Sequence, residues 1–238
     1  MTYDPQAIFN AVDANMAGYF ALGGVALLFN YVYFIGAIVA ASRDKVFTFP
    51  LFCTTLWFAH DLSFVLAYDE WFHVYHHWYV KGFWAGLIPT MSIEAWYIYQ
   101  TWLYGKDELL PKASQGAFTG YVLLAVAAGI VGWWSLKAFL DDPIYAYMFG
   151  ASGLIAPLFV IPRMLKRGDA KGQSVLTWVS YVGMQSCWFA GAITFFGPAF
   201  HTPQYLAMAA TSVGGGIVAA VMVYRYQKVS SMNQGKLL

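Results

Sequence analysis

The stretch "WFAHDLSFV", Trp57 to Val65, sets His60 beside Asp61 in an otherwise apolar run. Glu94 sits in a second such run, "GLIPTMSIEAWYIYQ". Of twelve acidic residues, these two alone fall away from termini and loops. A carboxylate near a bilayer centre costs about 2.5 to 3.5 kcal/mol on insertion scales, so two of them mark a site that packing does not explain. A dry cavity favours the neutral carboxyl group, and two neighbouring carboxyls disfavour charging both. One acid can then hold a proton to donate while the other acts as base or stabilises positive charge. Asp61 is expected to be the donor, Glu94 its complement, and His60 the group that re-protonates the pair. Trp57 and Phe64 lie one turn from Asp61, and Tyr97 one turn from Glu94. Their ring faces attract a developing cation, and shelter from water prolongs its life.

The elements carrying these residues follow from the composition. The 238 residues are 60% hydrophobic and only 11% charged, well below the roughly 25% charged content of soluble domains. Apolar runs long enough to span a bilayer, about 20 residues, recur at roughly 17–41, 47–68, 83–104, 116–140, 143–164, 174–197 and 203–226. They predict an all-α integral membrane protein, one domain of seven transmembrane helices over residues 1–238. Arg43 and Lys45, Lys106 and Lys112, Arg163 to Lys171, and Arg225, Lys228 and Lys236 fall at one set of helix ends, against Lys81 and Lys137 at the other. The positive-inside rule then sets the N-terminus outside and the C-terminus in the cytoplasm. The expected membrane is the cell membrane of a prokaryote or the endoplasmic reticulum of a eukaryote. Residues 1–16 contain no Lys or Arg, unlike the start of a signal peptide, so the first helix is expected to stay.

A net charge of +1 gives nucleic acid nothing to hold. Cys53 and Cys187 both fall within predicted helices and suggest no disulfide framework. Walker and Rossmann loops and the GxSxG elbow are missing, and the last helix has no lysine for a retinal Schiff base. "HVYHH", His73, His76 and His77, repeats a spacing used in membrane iron sites. With five histidines in the chain against about eight in such systems, an interfacial role is expected and no metal. "YDEWFHVYHHWYVKGFW" is read as an aromatic belt.

Three stretches, "LWFAHDLSFV", "IEAWYIYQTWLYGKDE" and "KRGDAKGQSVLTWVSYVG", resemble the small integral-membrane terpene cyclases of meroterpenoid pathways, the paspaline and pyripyropene type. The resemblance covers the second to sixth helices. It implies a seven-helix bundle that uses neither metal nor other cofactor and protonates an epoxide or alkene of an isoprenoid-type substrate to cyclise it. Asp61 stands where that family has glutamate, and Glu94 where it often has aspartate. Trp178, Tyr181 and Trp188 would join Trp57, Phe64 and Tyr97 in the substrate lining. The family's further acid near its last helix has no counterpart in "GGGIVAAVMVYRYQK", which extends the expected chemistry to proton-driven isomerisation or hydration. The rival expectation is a carrier. A weak repeat between the second and sixth helices suggests a three-plus-one-plus-three arrangement like that of PQ-loop and SWEET sugar carriers, although a proline matching Pro162 is missing from the first repeat.

Overall fold

The computed structural model describes residues 3–235, and all of its regular elements are helical. In chain order they are α1 Pro5–Ala14, α2 Met16–Asp44, α3 Leu51–Leu66, α4 Trp78–Tyr104, α5 Lys106–Leu109, α6 Gln115–Phe139, α7 Ala146–Arg167, α8 Val175–Phe195 and α9 Pro203–Gly235, with a π-helical turn at Glu70–Val74 and a 3-10 turn at Pro198–His201. Among the described residues, α2, α6, α7 and the Pro203–Ser230 part of α9 are long and apolar enough to cross a membrane. Lys236 lies outside the described residues.

Each of the seven apolar runs contains one long helix, but the ends differ from those the hydropathy predicts. The second helix begins at Leu51, because Pro50 favours extended backbone before it and Phe47 and Thr48 give their carbonyls to Arg163. It ends at Leu66, short of a full span. The third begins at Trp78, five residues early, where the His77 ring accepts the Tyr79 N–H as a cap. Trp78 and Tyr79 are therefore helical, although the predicted span begins at about residue 83. The short α1 is unpredicted. It buries Ile8, Phe9 and Val12 along one face, and Asp4 caps it through the Gln6 N–H.

The exterior is apolar. Phe139 is 89% exposed, Leu124 68% and Leu28 63%, and α6 buries only Phe118, Val122 and Trp133. In water such a surface would drive association; the long apolar helices and this surface suit a protein embedded in a membrane. Inside, one aromatic cluster holds Phe64, Trp71, Trp133 and Tyr145. A second, toward the other ends of the same helices, holds Tyr33, Phe49, Trp57, Tyr97, Trp178 and Tyr181. Small residues let the helices approach: a Cβ on Gly129 of α6 would sit 2.9 Å from the Thr55 carbonyl oxygen of α3. Packing is closest between α2 and α8, α3 and α4, and α8 and α9, while α2 and α4 touch only lightly.

Polar contacts tie the bundle at both ends. At one, the Tyr3 hydroxyl donates to Asp142, which also accepts the Tyr147 and Met148 N–H groups at the start of α7. At the other, Arg163 reaches across from α7 to Glu108 and to the chain before α3, and Gly172 N–H donates to Asp44 at 2.8 Å.

Candidate active site

A cavity of about 330 Å3 lies where the two aromatic clusters meet, bounded by α2, α3, α4, α7 and α8. Its volume is near the lower end of small-molecule sites, about 300 to 1,000 Å3. His60, Asp61 and Glu94 all line it, and they are 3%, 6% and 2% exposed. The two acids that stand out in the sequence therefore share one cavity.

On α3, His60 and Asp61 are adjacent in sequence, and the ring of one turns back onto the carboxyl group of the other: His60 Nδ1 lies 2.8 Å from Asp61 Oδ1. The imidazole is held on its other sides by the rings of Trp133, Phe149 and Tyr145, with centroids 4.8, 5.0 and 5.4 Å away. On α4, Thr90 and Glu94 are one turn apart and so share a face. Thr90 Oγ1 lies 2.7 Å from Asp61 Oδ2 and 3.0 Å from the Leu87 carbonyl oxygen. A hydroxyl carries one hydrogen. When Asp61 is ionised, Thr90 donates to it; when Asp61 is protonated, its O–H donates to Thr90, which then donates to Leu87. Both protonation states of Asp61 are thus satisfied without moving an atom of the backbone.

Glu94 contrasts with this arrangement. Its Oε2 is buried without a hydrogen-bond partner among the described residues, as are His60 Nε2 and Gln185 Oε1. A buried polar atom left unpaired costs about 1 to 3 kcal/mol. With the Tyr33 hydroxyl and Trp188 Nε1, five such atoms belong to residues around one cavity, which marks a place prepared for a polar or protonating partner.

Of the six aromatic residues expected to line a substrate, Trp57, Tyr181 and Trp188 line the cavity. Phe64, Tyr97 and Trp178 do not. Phe64 stacks on Trp71 with centroids 4.3 Å apart, one turn beyond the cavity. The Tyr97 hydroxyl donates to the Phe34 carbonyl at 2.7 Å, and Trp178 Nε1 donates to Gln173 Oε1 at 2.9 Å. Those three are packing residues that bind neighbouring helices. Thr90 and Gln185 are the site residues that sequence reasoning missed. Thr90, one turn before Glu94, was the available signal.

His73, His76 and His77 do not converge. His73 is 3.8 Å from Asp69, His76 Nδ1 is 2.8 Å from the Phe72 carbonyl, and His77 Nε2 is 3.2 Å from Asp13. Hydrogen bonds from Trp78 Nε1, then from His77, hold the Asp13 carboxyl below the usual carboxylate range. Among the described residues, no three His, Cys, Asp or Glu side chains gather closely enough to hold a metal ion. Comparison of the chain with family models, with curated proteins and with solved structures finds no match.

Proposed function

We propose that this is a membrane-embedded acid–base enzyme that protonates a hydrophobic, isoprenoid-type substrate and cyclises or isomerises it. The observation that carries this reading is the aromatic cavity with three buried ionisable side chains, Asp61, His60 and Glu94, around it. The resemblance of the second to sixth helices to the small membrane terpene cyclases points the same way.

In this mechanism the Asp61 O–H gives its proton to an alkene carbon, or to an epoxide oxygen whose C–O bond then breaks. The aromatic walls, Trp57, Tyr181 and Trp188 among them, stabilise the resulting cation. A neighbouring alkene closes a C–C bond onto the cation, or a C–H bond next to it breaks. The final C–H proton passes to the Glu94 carboxylate; His60, protonated at the start, gives its proton to Asp61, and the proton that Glu94 then releases recharges His60, so the cycle closes. No electrons are gained or lost, and substrate and product are isomers. Thr90 supports the cycle because it can accept from or donate to Asp61.

The test is incubation of the purified protein in lipid with C15 to C30 polyprenyl alkenes and epoxides, followed by mass analysis and chromatography. An isomeric product that depends on the protein is expected. Unchanged substrate throughout the panel, with solute flux into protein-loaded liposomes, would replace the enzyme by a carrier. Packing favours the enzyme: α2 lies closely along α8, whereas α7, the counterpart of α2 in the repeat, only touches α3. A carrier that rocks two equivalent repeats relies on matched interfaces.

The same proposal includes seven spans with the N-terminus outside. Short α3 would be completed by the turn after it and by α4's early start. An impermeant maleimide added outside should label Asn10→Cys and spare Lys171→Cys; the reverse pattern would invert the bundle.

A further inference from the structure

Among the cavity-lining residues, the exposed ones are Phe20, Gly24 and Leu27 of α2 and Gly82 of α4. All lie on the light α2–α4 seam, within the first halves of two helices that run the same way. Of the contacts that bridge that seam, two frame the gap. Phe20 stacks on Trp78 with centroids 4.9 Å apart, and the Tyr31 hydroxyl donates to the Gly86 carbonyl at 3.1 Å. Between them, a Cβ on Gly24 or Gly82 would meet nothing within 4 Å. The gap opens beside apolar residues about 6 to 16 Å along α2 from its start, at 1.5 Å per residue. That is the flank of a helix that is long and apolar enough to cross a membrane. Buried elsewhere in the lining are the unpartnered Glu94 Oε2 and Gln185 Oε1.

We infer that the ligand is a single-chain amphiphile dissolved in the bilayer, which enters sideways between α2 and α4 with its oxygen-bearing end first and leaves its apolar tail in the gap. This deepens the proposed function and rests on the same cavity being the substrate site. A hydroxyl suits the two unpartnered atoms, since its one hydrogen can go to Gln185 Oε1 or to an ionised Glu94, and its oxygen can accept from a protonated Glu94. The tail fits the volume argument: a cavity of about 330 Å3 is at the small end of ligand sites, so a long chain must extend through the opening. Pro89, inside α4 between Gly86 and Thr90, supplies no N–H to the preceding turn, which lets the upper part of α4 yield as the chain passes.

The experiment uses the full chain in phospholipid vesicles doped with a C20 isoprenoid alcohol bearing a diazirine at its tail end. Photolysis and peptide mapping should place the label on α2 and α4. Gly82→Leu, which fills the gap, should cut that label at least about tenfold, while Leu27→Ala, which widens it, should raise the rate of labelling. Gly120→Leu on the exposed side of α6, where a Cβ also meets nothing within 4 Å, should leave both unchanged. Equal labelling in wild type, Gly82→Leu and Leu27→Ala, or label on α6 as heavy as on α2 and α4, would overturn the sideways route. Labelling is read without turnover. A protein that labels on α2 and α4 yet converts no substrate keeps the portal and rejects the acid catalyst; conversion with those helices unlabelled does the opposite.

Discussion

Asp61→Asn should lower turnover by about 100-fold to 10,000-fold, the usual contribution of a general acid. At about 1.36 kcal/mol per factor of ten, that is about 2.7 to 5.4 kcal/mol of activation free energy. The expectation of a chemical rather than a structural effect comes from Thr90. Asparagine keeps the shape of the side chain, its oxygen can still accept from His60 Nδ1, and its amide N–H can donate to Thr90 Oγ1. Thr90 then turns its own hydrogen to the Leu87 carbonyl, 3.0 Å away. Every hydrogen bond of the native carboxyl group has a replacement, so the variant loses the transferable proton and little else. Glu94→Gln should act at the last step instead, because the proposed mechanism makes its carboxylate the acceptor of the final proton. Turnover per monodisperse, folded molecule is the quantity to measure. Near-native turnover in both variants would end the acid mechanism.

Arg163→Ala should cost about 3 kcal/mol of stability, the low end for breaking a buried charge pair, since Glu108 keeps about a third of its side-chain surface exposed. The guanidinium forks onto both Glu108 oxygens at 2.8 and 2.9 Å, donates to the Phe47 and Thr48 carbonyls at 2.8 and 2.9 Å, and lies 3.5 Å over the Phe47 ring. One side chain thus fixes α7, α5 and the chain entering α3. Lysine cannot reproduce the planar fork, so Arg163→Lys should recover only part of the loss. Burial pushes the Glu108 carboxyl up, but the Arg163 hydrogen bond and charge, with Arg167 and Lys166 behind them, outweigh it and hold the group below the ordinary glutamate range. A carboxyl group depressed in the folded state adds stability above its unfolded value and loses it as pH falls through the folded one. The wild type should therefore lose this increment on the acid side of the glutamate range, and Arg163→Ala should show a flatter profile there. Reversible unfolding in mixed micelles across that range checks both statements; superimposable curves for wild type and Arg163→Ala would refute them.

The legible parts of the sequence were those where one physical signal dominated. Long apolar runs marked where the helices are, because a chain with 11% charged residues has few other ways to satisfy its backbone in an apolar setting. Asp61 and Glu94 stood out because each is a charge without a neighbouring loop. Helix ends were harder: His77 as a cap and Pro50 as a start act through single hydrogen bonds or one dihedral, which hydropathy averages away. Aromatic roles were harder still. Spacing puts Trp57 and Phe64 each one turn from Asp61, yet Trp57 faces the cavity and Phe64 stacks on Trp71. A residue's own helix sets its angle and depth, while the neighbouring helix decides whether space or a ring waits there. Thr90 was passed over because a neutral hydroxyl leaves little mark on composition, although it bridges Asp61 and the Leu87 carbonyl.

The gap between α2 and α4 changes how supply to the cavity is counted. On the sideways route inferred above, a mouth framed by the Phe20–Trp78 stack and the Tyr31–Gly86 bridge meets only molecules already dissolved among the acyl chains. The governing concentration is then the mole fraction of substrate in the membrane, a quantity per lipid rather than per litre. Adding inert phospholipid at constant bulk substrate dilutes the encounter and slows saturation, whereas adding water does neither. On that route the protein samples a two-dimensional pool, in which a scarce, insoluble molecule is already concentrated.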